Sequence, residues 1–125
     1  MLSLLGMPKV KVYAYANCST CKNALKFLTQ KKVEFDEIPI VDSPPTLSEL
    51  KKMLKLLGGD LKRLFNTSGV LYREMGIAEK LKSLTEAQAL ALLAANGKLV
   101  KRPFVLTATS GLVGFKQDEW KREFR

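Results

Sequence analysis

The chain has 125 residues, 46% of them apolar, a formal charge of +9 and no histidine. That length supports one domain with one core, and no apolar run approaches the roughly 18 residues that a membrane span needs. Imidazole acid–base chemistry is excluded, and the excess of Lys and Arg fits an anionic substrate or an acidic protein surface.

The opening Met1-Leu2-Ser3-Leu4-Leu5-Gly6-Met7 is apolar but too short for a signal sequence, and it lacks a basic leader. Met7 is a second candidate start. The expected organisation is therefore a short extension at 1–8 and a single domain over 9–125, monomeric and cytoplasmic. Val10, Val12 and Ala14 alternate with Lys11, Tyr13 and Tyr15, the period of a strand. Ser19 to Lys31 predicts a helix with Ala24, Leu25 and Leu28 on one side. Val33 to Ile40 predicts a second strand, ended by Pro39 and the turn Ser43-Pro44-Pro45.

Thr46-Leu47-Ser48-Glu49 is a capping box. It opens a helix with the stripe Leu47, Leu50, Met53, Leu54, Leu57, stopped by Gly58-Gly59. Asp60 to Phe65 is a short helical turn and Asn66-Thr67-Ser68-Gly69 a loop. A second capping box, Thr85-Glu86-Ala87-Gln88, opens a helix through Leu90, Leu93 and Ala94 to Asn96-Gly97. Pro103 to Thr107 and Leu112 to Phe115 form a hairpin about Thr109-Ser110-Gly111, and Asp118 to Phe124 is a closing helix. A β-α-β unit, helices, a hairpin and a helix give an α/β, thioredoxin-like plan. It has a four-stranded mixed sheet flanked by helices, with a helical insertion at about 46–97.

The chemistry concentrates in Asn17-Cys18-Ser19-Thr20-Cys21, which holds the only two cysteines. A C-x-x-C where a strand hands over to a helix is the layout of a thiol–disulfide site. Cys18 falls at the helix N-terminus, where free N–H groups and the helix dipole favour a thiolate. Cys21 lies one turn on, within reach as a resolving thiol. Two alternatives stay open. C-x-x-C is also zinc spacing, but with no histidine and no third cysteine no metal is expected. Cys21 shares the face of Leu25 and Leu28, so it also reads as inert core. Asn17 reads first as a helix cap and second as a donor to a bound anion or sulfur. Tyr72 and Trp120 read as packing residues, and Arg73 and Glu74 as solvated or paired. The basic residues are spread along helices without a recognition-helix pattern, so direct nucleic-acid binding is not expected.

Cys18-Ser19-Thr20-Cys21-Lys22-Asn23-Ala24-Leu25 resembles the active-site turn of the arsenate reductase (ArsC)-related family, which includes the Spx regulators. Phe65-Asn66-Thr67-Ser68-Gly69, Tyr72-Arg73-Glu74-Met75-Gly76-Ile77, Lys101-Arg102-Pro103 and Val113-Gly114-Phe115-Lys116 extend the resemblance over 9–124. It is greatest to the YusI-type branch. The resemblance implies Cys18 as nucleophile, Arg102 before Pro103 as an anion-binding group, and Lys62 or Arg63 as a second. It further implies that Pro103 is cis and faces the thiol. The third arginine of the reductases falls at Phe115, which cannot bind an anion, so arsenate turnover is expected to be weak or absent. The implied function is a thiol oxidoreductase without a bound cofactor, with glutathione, glutaredoxin or thioredoxin as reductant. The alternative is an Spx-like redox-sensitive regulator that binds the RNA polymerase α subunit.

Overall fold

The computed structural model describes residues 10–125; the extension read at 1–8 lies outside the described residues, as does Lys9. Four strands make one sheet: β1 (Val10–Ala14), β2 (Phe35–Pro39), β3 (Phe104–Leu106) and β4 (Gly111–Val113), in the order β2-β1-β3-β4. β3 runs antiparallel to both neighbours, with Val12 opposite Val105 and Val105 opposite Leu112. The sheet is mixed, as expected. The chain divides into two compact units, one of residues 10–38 with 102–125 and one of residues 39–101. The helical elements between β2 and β3 run from Leu47 to Leu99.

In the first unit, α1 (Ser19–Gln30) buries Cys21, Ala24 and Leu28, a stripe at spacings of three and four. This stripe packs with Val12, Ala14, Val105, Trp120 and Phe124 into one core. Helix α6 (Gln117–Glu123) delivers Trp120 to that core, fully buried. The Trp120 ring stands edge-on to Phe27 and Phe115, and its indole N–H donates to the Gly114 carbonyl at 3.1 Å. A buried indole donor is therefore satisfied. The period-two reading of β1 holds only in part: Tyr13 is as buried as Val12 and Ala14. Its register partner is Phe104, and the two rings meet edge to face at 5.8 Å. The β3–β4 hairpin is shorter than expected. Its turn is closed by Thr107, whose hydroxyl accepts from the Ser110 N–H at 2.9 Å.

In the second unit both capping boxes form. The Thr46 hydroxyl accepts from the Glu49 N–H and the Glu49 carboxylate from the Thr46 N–H; Thr85 and Gln88 repeat the exchange. They open α2 (Leu47–Leu56) and α5 (Glu86–Ala95), which bury Leu50, Met53 and Leu54, and Ala89, Leu90 and Leu93. Leu47 drops out of the expected stripe. It is the first helical residue and remains exposed. Two short helices were not foreseen, α3 (Val70–Glu74) and α4 (Ile77–Lys80). Each is too short to show a period, and Gly76 divides them with a left-handed φ of 63°. They bury Tyr72 and Ile77 and leave Arg73 and Glu74 exposed.

Gly97 opens a 3-10 turn (Gly97–Leu99), and a methyl group there would overlap the Ile40 carbonyl. Backbone atoms cannot swing aside as a side-chain end can. Gly97→Ala is therefore expected to cost about 2 kcal/mol or more, the range of overpacked cores. A urea unfolding midpoint equal to the parent's, at equal slope, would contradict this.

Candidate active site

The first unit builds the site from the β1–α1 turn and the chain just before β3. The backbone of β1 ends at Ala14, and the Tyr15 carbonyl accepts from the Cys18 N–H at 3.1 Å, which closes the turn. α1 then starts at Ser19, so its cap is residue 18. The Cys18 sulfur accepts from the Cys21 N–H at 3.2 Å, and the Cys18 carbonyl takes the Lys22 N–H at 3.0 Å. This corrects the capping role read for Asn17. Asn17 sits one residue too early and is exposed, while a sulfur takes the orphan N–H instead.

The two thiols differ in environment. Both are free; Cys18 is half-buried and Cys21 is 1% exposed. At Cys18, partial desolvation opposes charge. It is outweighed by hydrogen bonds from Cys21 and from Arg102 and by the Arg102 charge, so the thiol is held below its ordinary range. At Cys21, burial and the neighbouring Cys18 sulfur push the thiol up to about 12, against a backbone hydrogen bond from Tyr15 and the Arg102 charge. One thiol is thus prepared to be an anion and the other to hold its proton.

Arg102 reaches Cys18 from the start of β3, and the Arg102–Pro103 bond is cis. Pro103 is buried, and its carbonyl accepts from the Gly114 N–H at 2.9 Å. The guanidinium also lies over the Tyr15 ring, 4.7 Å from its centre. Tyr15 was not singled out in the sequence. An aromatic residue directly after the strand, in the turn that leads to the C-x-x-C, is the signal that marks it. Lys62 and Arg63 belong to the second unit, on its 3-10 turn Leu61–Leu64. There Lys62 borders a hollow of about 370 Å³ with Asp60, Tyr72 and Lys82. Phe115, where the resemblance placed an arginine, packs 4.9 Å from Trp120 and 5.7 Å from Phe27, as a ring in an aromatic cluster.

Residues 13–123 match the model of the ArsC family. The chain belongs to the ArsC family. It is similar to YusI of Bacillus subtilis, at 42% identity over 112 residues, covering 90% of this chain and 95% of YusI. A solved ArsC family related protein from Bacteroides fragilis superposes with a TM-score of 0.87 at 46% identity, over 94% of this chain and 98% of that one. Two more distant relatives carry different names. An arsenate reductase of Neisseria meningitidis is 29% identical over 109 residues, 86% of this chain and 92% of its own. A global transcriptional regulator Spx of Streptococcus pneumoniae is 26% identical over 110 residues, 88% of this chain and 81% of its own. The family thus carries the thioredoxin-like fold that the element order implied. Among the described residues, no helix is long and apolar enough to cross a membrane, and no three His, Cys, Asp or Glu groups gather as a metal site.

Proposed function

We propose that this protein is a cytoplasmic thiol oxidoreductase of the ArsC family, acting through Cys18 and Cys21 on disulfide substrates. The observation that carries the reading is the division of labour between the thiols: Cys18 caps α1 beside Arg102, and Cys21 is buried behind it. The Cys18 thiolate attacks one sulfur of a substrate disulfide. A Cys18–substrate mixed disulfide forms and the other substrate sulfur leaves as thiolate. Two of the influences that hold the proton on Cys21 come from Cys18, its hydrogen bond and its negative charge. Both end when the Cys18 sulfur is capped, which eases ionisation of Cys21. The Cys21 thiolate then attacks the Cys18 sulfur, forms the Cys18–Cys21 disulfide and expels the second substrate thiolate. Two electrons from glutathione, glutaredoxin or thioredoxin restore the dithiol, and no bound cofactor is required. Arsenate is a poor substrate on this reading, because Phe115 fills its place with packing and offers no charge.

The test follows turnover of a glutathione mixed disulfide in an NADPH-coupled assay with glutathione, glutathione reductase and glutaredoxin, read as the rate above that of glutaredoxin without this protein. Cys18→Ser is expected to reduce turnover to background. Cys21→Ser should accumulate a mixed disulfide on Cys18, visible by mass, and arsenate should give background rates. An oxidised protein in which no Cys18–Cys21 bridge forms would overturn the mechanism. The similarity to Spx favours a second reading, a redox-gated regulator. Capture of the RNA polymerase α subunit by the oxidised form alone, and not by the reduced form or Cys18→Ser, would favour it over the enzyme.

A further inference from the structure

We propose that Tyr15 is a positioning residue of the site: its ring face holds the Arg102 guanidinium, 4.7 Å from the ring centre, in the pose that serves the Cys18 sulfur. The inference rests on Cys18 being the reactive thiol but not on any substrate. Tyr15 touches three members of the site by three different atoms or groups. Its carbonyl accepts the Cys18 N–H at 3.1 Å. A backbone hydrogen bond joins it to Cys21. Its ring carries the guanidinium of Arg102.

The backbone contacts are open to almost any residue at position 15. The ring contact is not. Arginine has a long stem whose freedom must be lost before its charge bears on one sulfur. A planar cation stacked on an aromatic face loses that freedom in advance, and the ring quadrupole attracts it without competing for its N–H donors. The stack itself engages none of the donors, one of which serves the Cys18 sulfur. A carboxylate at position 15 would fix the arginine equally well, but it would neutralise the charge that favours the thiolate. An aromatic ring positions the charge and leaves it intact. Tyr15 itself is half-buried, so the stacked pair lies where the cation is partly shielded from water and the attraction is stronger than at a free surface.

The test reads the pH midpoint of Cys18 alkylation, a property of the thiol and not of turnover. Its outcome is therefore independent of whether disulfide substrates are reduced. Tyr15→Phe keeps the ring face and should leave the midpoint where it is. Tyr15→Leu should raise it and slow alkylation at pH 7 by about threefold to tenfold, the range of a partly shielded cation–π contact. In an Arg102→Ala background, Tyr15→Leu should produce no further shift, because Tyr15 acts through that side chain. Should Tyr15→Leu fold poorly, a phenylalanine carrying five fluorines at position 15 keeps the shape while removing the negative face, and it should raise the midpoint as well. An unmoved midpoint in the leucine or fluorinated variant would overturn the proposal. So would an equal shift with and without Arg102.

Discussion

Iodoacetamide at pH 7 is expected to label Cys18 at least a hundredfold faster than Cys21. The thiolate is the species that reacts, so the ratio follows the fraction of each thiol ionised. A thiol pushed up to about 12, as burial and the neighbouring sulfur do to Cys21, is about one part in a hundred thousand ionised at pH 7. Cys18 is held below the ordinary cysteine range by its hydrogen bonds from Cys21 and Arg102, which outweigh partial desolvation. An ordinary free thiol would already be ionised to a fraction larger by about three orders of magnitude, and Cys18 lies on the favourable side of that. The lower basicity of the Cys18 thiolate removes part of that advantage, since nucleophilicity falls with pKa. Burial of Cys21 restores some of it. The pH dependence carries the sign of each shift: the Cys18 rate should level off below the ordinary cysteine range, while the Cys21 rate should climb well above it. Methylating Cys18 with iodomethane, which leaves a thioether that Cys21 cannot displace, should then accelerate labelling of Cys21, because the anion beside it is gone. Equal, slow labelling of both thiols would remove the assignment of nucleophile and resolver.

Local rules reached far in this chain because its elements announce themselves by spacing. The two capping boxes form as read, since a Thr followed by Glu or Gln at the third helical position satisfies two N–H groups within one turn. The Cys18 thiol at the start of α1 was legible for the same reason. What the sequence hid is what a second segment contributes. Tyr13 looked outward by alternation, and only its register with Phe104 explains its burial. Tyr15 looked outward as well, until Arg102 arrives from the far end of the chain to stack on it. Asn17 was read as the cap because oxygen caps are the common kind, and the helix begins one residue later with sulfur in that position.

The largest effect on stability is expected at Trp120, where Trp120→Ala should cost about 3–5 kcal/mol. For a domain of this size that is a large share of the total of about 5–15 kcal/mol. Three causes combine. The indole is fully buried in the core that includes Cys21, Ala24 and Leu28, so a cavity remains that those short side chains cannot fill. Its ring edge contacts with Phe27 and Phe115, at 5.9 and 4.9 Å, are lost together with the 5.6 Å contact to Phe124. The Gly114 carbonyl also loses the indole N–H that it accepts at 3.1 Å. Trp120→Phe separates these causes, because it keeps most of the volume and gives up the donor. It should cost about 1–3 kcal/mol, the usual penalty for an orphaned buried acceptor with a small cavity. Urea unfolding monitored by far-UV circular dichroism checks both values, since the variants remove the only tryptophan. Phe115 enters the same account. A ring held between Phe27 and Trp120 is a packing residue, and Phe115→Arg, which supplies the charge that the resemblance led one to expect there, should destabilise the protein along with Trp120→Phe. If Phe115→Arg unfolds at the parent's urea midpoint, the aromatic cluster does not hold the hairpin to α1, and the absence of an arginine at 115 needs a reason other than packing.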